Sequence, residues 1–367
     1  MVFRKTPSEI EILELLRRGQ VQLPPLAVFV EMVEVSTMAG VLDAFVRLDW
    51  GSRRFRFVAE CKRLWTPKAI SEAVSHVRRS ARPPDFYPLL VVPYLPEARL
   101  EELLAQQVSG IDLCGNGVVV VPNELLVYCT GRPNLFRSEA DIKNVFRGVS
   151  SLVARAFLLV PEYASVQEAQ REVERRGGKL ALATVSKVCK GLEAMLLIER
   201  KRSEGSAARQ LRLLQPDKLL DLLQSNYVAP DVTRTVRGKT KLAPEDFRKE
   251  IAALESERTR VVLTGFGSVG AYAVMATEPM QYFYCTDLDA TIRMLGSAFE
   301  PTDRFANVTL FETKEAAVYF DRRPGLTASP IQAYLELATG DKRSQETAEQ
   351  LRRTILSPLA GAREVED

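Results

Sequence analysis

Two neighbouring segments, Val41-Leu-Asp-Ala-Phe-Val-Arg-Leu-Asp-Trp50 and Phe55-Arg-Phe-Val-Ala-Glu-Cys-Lys62, alternate apolar and polar residues in the manner of half-buried strands. Trp50-Gly-Ser-Arg53 between them has the length and glycine content of a tight hairpin turn. A turn centred on Gly51-Ser52 sets Asp43 opposite Glu60, and alternation puts Lys62 on the same face as Glu60, with Cys61 on the other. Directly opposed like charges destabilise a strand pair. A divalent cation shared by the two carboxylates, with a lysine beside it, relieves that conflict. The same three groups suit cation-assisted hydrolysis of a phosphodiester.

The surrounding pattern supplies elements to hold them. A helix is expected over residues 7–18, opening on Pro7-Ser8, followed by a strand over 28–35 and then the two strands above. Residues 67–79 form an amphipathic helix with Ile70, Ala73, Val74 and Val77 inward. A short buried strand at 87–93, a helix at 96–107 and strands at 118–121 and 125–128 complete a mixed α/β sheet with helices packed on it. If 28–35 pairs with the second strand through residues 37–40, Glu34 falls beside Asp43 as a third carboxylate; Glu9, Glu11 and Glu14 compete for that place. His76, four residues after Glu72, is expected as an exposed surface histidine, and Asp112 and Asn116 as residues that shape a turn.

Composition narrows the chemistry. The chain has 367 residues, enough for two or three domains, and 46% of them are hydrophobic, enough for packed cores. No run approaches the roughly 20 apolar residues that span a bilayer, and the opening residues lack a signal peptide's apolar core, so a cytoplasmic protein without membrane contact is expected. Five scattered cysteines without a C-x-x-C pair favour neither a disulfide framework nor structural zinc. A single histidine rules out a multi-histidine metal site, so catalysis must rest on carboxylates and lysine. Net charge is only +3, so any nucleic-acid affinity has to come from local clusters.

Such a cluster follows Arg132-Pro-Asn134. Ser165 reads as the N-cap of a helix running to Arg176 and ended by Gly177-Gly178, with a second helix over 182–195. Short strands at 196–202 and 210–214 flank the loop 203–208, and a helix at 217–224 completes a winged helix-turn-helix. In such a unit the second helix enters the major groove and the wing meets phosphate. Thr184, Ser186, Lys187 and Lys190 would face DNA, while Val185, Val188, Leu192 and Met195 pack inward. Arg200, Lys201, Arg202, Arg209 and Arg212 on the wing outnumber Glu199 and Glu204 and are expected to bind phosphate. Residues 229–245 read as an exposed connection leading to a further helix. A small α/β block follows from about residue 258, with strands at 261–264, 281–286 and 307–312 and helix from 331.

The pattern D-x(16)-E-x-K on successive strands, followed by a helix, resembles the PD-(D/E)XK, or restriction-endonuclease-like, nuclease superfamily over roughly residues 5–130. That resemblance implies that Asp43 and Glu60 hold Mg²⁺ or Mn²⁺, with the Cys61 carbonyl and Glu34 as further oxygen ligands, while Lys62 orients or helps deprotonate the attacking water. Unlike the fullest form of the pattern, no proline precedes Asp43. Thr184-Val-Ser-Lys-Val-Cys-Lys-Gly-Leu-Glu193 resembles bacterial winged-helix regulators. Gly267-Ser268 followed by Asp287-Leu-Asp289 resembles a nucleotidyltransferase signature; a helix cap with a first-turn acid accounts for the same aspartates and is the preferred reading. Winged helix plus degenerate nucleotidyltransferase-like domain resembles the AbiEi-type antitoxins of type IV toxin–antitoxin systems over roughly 145–360.

The expected organisation is therefore a multidomain α/β protein. It comprises a nuclease-like domain at 1–132, a winged helix at 133–228, a linker and helix at 229–257 and a nucleotidyltransferase-like domain at 258–367. The expected activity is Mg²⁺-dependent cleavage of DNA. The alternative is a non-catalytic transcriptional regulator or antitoxin, with a protein partner or a second copy of the chain beside DNA.

Overall fold

A computed structural model describes residues 5–37, 40–79, 83–136, 144–202, 209–254, 256, 259–273 and 280–360. The chain divides into two units, residues 1–140 and 141–367.

The first unit opens with α1 (Glu9–Arg17), whose Ser8 and Glu11 form a capping box: Ser8 N–H donates to Glu11 Oε2 at 2.6 Å and Glu11 N–H to Ser8 Oγ at 3.3 Å. Then come β1 (Ala27–Thr37), β2 (Gly40–Trp50), β3 (Arg53–Cys61), α2 (Pro67–Arg79), β4 (Phe86–Val92), α3 (Glu97–Ala105), β5 (Ser109–Asp112), β6 (Gly117–Val121) and β7 (Leu125–Cys129). All seven strands lie in one sheet in sequence order. β1, β2 and β3 form an antiparallel meander, β4 and β5 run parallel to β3, and β6 and β7 turn back. The parallel step from β3 to β4 needs a crossover, which α2 provides. Alternation sorts the side chains: Ala44, Val46, Leu48, Phe57, Ala59 and Cys61 share a core with Ile12 and Leu16 of α1. Val58 and Phe45 face the other way and meet Val77 of α2. Ile70, Ala73, Val74 and Val77 are all buried, as the apolar stripe of α2 requires. β5 occupies positions that read from sequence as the start of a turn; it is fully buried beside β4.

The second unit begins with α4 (Ser151–Leu159), β8 (Glu162–Tyr163), α5 (Val166–Arg175), α6 (Leu182–Ala194), β9 (Ile198–Arg202), β10 (Arg209–Leu213) and α7 (Pro216–Ser225). Ser165 Oγ accepts from Glu168 N–H at 3.1 Å to cap α5, and Gly177, at φ +85, ends it. β8, β10 and β9 make a three-stranded antiparallel sheet. Next are β11 (Arg234–Lys239), α8 (Pro244–Ala253), β12 (Val261–Leu263), a helical turn at Gly265–Ser268, β13 (Gln281–Cys285), α9 (Leu288–Leu295), β14 (Glu300–Pro301), β15 (Val308–Glu312), α10 (Pro330–Ala338) and α11 (Lys342–Ala360).

The stretch expected as an exposed connection thus contains a strand. β11 lies between β15 and β14 in the five-stranded sheet β12-β13-β15-β11-β14. Its apolar content is low because one face is open to solvent and the ladder to β15 supplies its bonding. Gly238 is needed there, since a Cβ would stand 2.3 Å from the Phe299 ring. The helices of the two halves also share one core: Leu152, Phe157, Val185 and Leu219 belong to the same apolar cluster as Ile331, Tyr334, Leu351 and Ile355. Among the described residues, no helix is long and apolar enough to cross a membrane.

Candidate active site

The hairpin register is Trp50↔Arg53 through Ala44↔Ala59, so the next step sets Asp43 across from Glu60. Asp43 Oδ2 accepts from the Cys61 N–H at 2.6 Å, which pins this carboxylate against β3. Glu60 is only 4% exposed. Its Oε1 lies 2.7 Å from Lys62 Nζ, so Glu60 and Lys62 share a face, and the Cys61 thiol is buried in the opposite core. Lys62 Nζ also stands 3.9 Å from Glu9 Oε1, and Glu9 Oε1 accepts from the Arg63 N–H at 3.4 Å. The start of α1 and the end of β3 therefore close on the same charged group.

Sequence reasoning left the third carboxylate open among four glutamates. Glu11 is committed to the capping box and Glu14 to Arg18 at 3.0 Å, which leaves Glu9 as the α1 residue at the site. Glu34 lies between the pairs Val33↔Ala44 and Val35↔Leu42, so its backbone is opposite Asp43; its side chain falls outside the described residues. His76, expected on the open surface, is instead at the site: Nδ1 is 3.1 Å from Glu60 Oε2. It sits on the flank of α2's apolar stripe, beside Val77, and that flank meets Glu60 of β3. The signal in sequence was this flanking position, which a polar-or-apolar assignment passes over.

Burial raises the Asp43 carboxyl above the ordinary carboxylate range; the Cys61 N–H works against this and the charge of Glu60 adds to it. Burial also opposes the Lys62 ammonium, but its hydrogen bond to Glu60 and the charges of Glu60, Glu9 and Asp43 prevail, so Lys62 titrates above its usual value. Lys62 is accordingly a fixed cation and donor near neutral pH, suited to orienting a nucleophile or phosphate rather than to taking a proton. Burial, aided by Asp43 and Glu60, pushes the Cys61 thiol well up, so only the backbone of this residue is available to the site.

The donors suit a hard divalent cation. Glu60 Oε2 meets His76 Nδ1 only in an electrostatic contact, and this buried oxygen accepts no hydrogen bond. A buried carboxylate oxygen in that condition, facing a second carboxylate, fits Mg²⁺ or Mn²⁺. Among the described residues, no three acidic, histidine or cysteine side chains gather as a ready cation cage. Asp43 and Glu60 form the acidic pair, with Glu9 turned to Lys62. Asp112 is a turn builder: it accepts from the N–H groups of Leu95, Cys114 and Asn116, each at 2.8 Å, and from the Asn116 side chain.

In the stretch expected to form a helix-turn-helix, Val185, Val188, Leu192 and Met195 are buried, Lys187 and Lys190 exposed, and Thr184 and Ser186 half-buried. The strands expected to form a wing depart from expectation. Arg200 pairs with Leu211 on the inward face and its Nε lies 3.0 Å from Glu193 Oε2, so it braces α6 and does not face outward. Arg212 Nε is 3.3 Å from Glu162 Oε1, within the sheet's own ion pairs. Lys201 is exposed. The side chains of Arg202 and Arg209 fall outside the described residues, though their backbones pair at the end of β9 and β10.

The cap reading accounts for the acids near residue 288. Asp287 Oδ1 accepts from Ala290 N–H at 2.9 Å as the N-cap of α9, and Asp289 holds Arg234 through contacts of 2.8 and 2.9 Å. Ser268 Oγ accepts from the Ala328 N–H at 2.8 Å, and Gly267 N–H donates to Thr264 Oγ1 at 3.0 Å. These groups are occupied in local structure. No family model matches the chain, and no curated protein or solved structure does.

Proposed function

We propose that the first unit is a divalent-cation-dependent phosphodiesterase of the PD-(D/E)XK type acting on DNA, and that the helix-turn-helix with its wing, in the second unit, grips the substrate duplex. The observation that carries this reading is that Asp43, Glu60 and Lys62 share one face of β2 and β3, with Glu9 of α1 reaching Lys62 at the end of β3. Asp43 and Glu60 would hold Mg²⁺ or Mn²⁺, with the Cys61 carbonyl and Glu34 as further oxygen donors. When bound, such a cation polarises the scissile phosphate and eases formation of hydroxide from water. Lys62, kept protonated by Glu60 and Glu9, would orient the nucleophile and offset charge on the phosphate. Glu9 would hold Lys62 in place from the α1 side. Lys187, Lys190 and Lys201 are the exposed cations that would meet phosphate.

The test is incubation of the purified chain with plasmid, linear and branched DNA in Mg²⁺, Mn²⁺ or EDTA. Cleavage that needs the cation and vanishes in Glu60→Ala is the expected result; cation-independent cleavage, or cleavage equal in the variant, defeats the assignment. A second reading draws on the near-complete enclosure of Glu60 by Lys62 and His76. In it the fold is a non-catalytic scaffold, and the chain is a DNA-binding regulator or an antitoxin of the AbiEi kind. That reading predicts sequence-specific duplex binding with no nicking under any of the three conditions.

A further inference from the structure

Arg155 sits on α4 and is only 3% exposed. Its Nη1 donates to Ala317 O at 3.0 Å and to Gln332 Oε1 at 2.7 Å, and its Nε has no hydrogen-bond partner. A buried guanidinium with only neutral acceptors and an orphaned N–H is costly. It lines a cavity of about 140 Å³ together with Arg147, Ser151, Tyr227, Glu315 and Gln332. The Tyr227 hydroxyl accepts from Gln332 Nε2 at 3.2 Å and keeps its own O–H for a further acceptor. Arg147 is exposed, so the cavity carries one cation at its base and another toward solvent.

We infer that this cavity binds a small oxyanion, a phosphoryl or carboxylate group, with Arg155 and Tyr227 as the inner donors and Arg147 as the outer cation. The chemistry follows from the donors: the unmet groups named are an N–H and an O–H, and a cationic guanidinium beside a hydroxyl donor suits an oxyanion. The size limits the ligand. At about 30 Å³ per water the space equals four or five waters, well below the roughly 300 Å³ at which pockets for larger ligands begin. Glu315 is the one acid on the wall, and it opposes binding. Burial lowers the Arg155 guanidinium only to about 10, so it remains charged at neutral pH. The site is independent of the carboxylates of the first unit.

The experiment is calorimetric titration of the full chain with sodium phosphate, sulfate and succinate, against sodium chloride at matched ionic strength. Saturable binding of at least one oxyanion is expected, weakened about tenfold or more in Arg147→Ala, the loss of a charge-assisted bond, and strengthened severalfold in Glu315→Gln. Arg155→Gln should abolish it, but because that variant removes a buried group from the core, the two wall variants carry the decision. Phosphate binding above succinate marks a phosphoryl ligand, the reverse a carboxylate, and either supports the site. No heat beyond the chloride control, or equal binding in wild type, Arg147→Ala and Glu315→Gln, overturns it.

Discussion

Lys62 stands between Glu60 at 2.7 Å and Glu9 at 3.9 Å, so removing its ammonium leaves acids facing one another without a local counter-charge. Lys62→Ala should lower Mg²⁺-dependent cleavage by about 100-fold or more, the usual scale for losing one preorganised electrostatic donor, while DNA affinity in a gel-shift assay stays near wild type. Asp43 supplies a complementary test without substrate. Its folded carboxyl titrates above the unfolded value, so between the two values the native chain keeps a proton that the unfolded chain has released. Cation-free stability should therefore fall as pH rises through that window and stay lower above it. Divalent cation should restore it: at ten times the dissociation constant, linkage gives about 1.4 kcal/mol. Melting curves in EDTA and in Mg²⁺ at several pH values should diverge above the window in wild type and coincide in Asp43→Asn.

At the scale of elements, α10 is tied to the turn after β12 by Glu336, whose carboxylate accepts from Gly265 N–H at 2.7 Å and from Gln332 Nε2 at 2.8 Å. Burial pushes its carboxyl up from 4.5 to about 7, against those donors and against the pull of Arg155 on α4. The native state thus binds more protons than the unfolded chain across that range, and this part of the stability declines as pH rises from 4.5 to about 7. The loss is on the order of 3 kcal/mol for a shift of this size. Glu336→Gln should flatten the slope in urea denaturation measured across that range; an unchanged slope would assign the dependence elsewhere.

For the whole molecule, 50 Lys and Arg nearly cancel 47 Asp and Glu, so the proposed duplex binding would have to come from local placement. Lys187→Glu with Lys190→Glu should weaken DNA binding across unrelated sequences and reduce the salt dependence by about one counterion per lost phosphate contact. Arg200→Ala should instead lower the melting temperature with little change in the salt slope, because Arg200 holds Glu193. A salt slope that drops equally in both variants would return Arg200 to the DNA face.

Period and punctuation alone determined much of this chain. Gly51-Ser52 pinned the β2–β3 register and with it the Asp43–Glu60 opposition, the stripe Ile70/Ala73/Val74/Val77 fixed the buried face of α2, and Ser165 and Gly177 bounded α5. These features are local: alternation, helical repeat and turn chemistry act over a few residues. Only tertiary structure brought Glu9, rather than Glu11 or Glu14 of the same helix, to Lys62, turned His76 onto Glu60, drew Arg200 inward and recruited Arg234–Lys239 into a sheet. Each of those outcomes depends on a partner distant in sequence, or on which strand completes a ladder, and no local pattern encodes the partner's position.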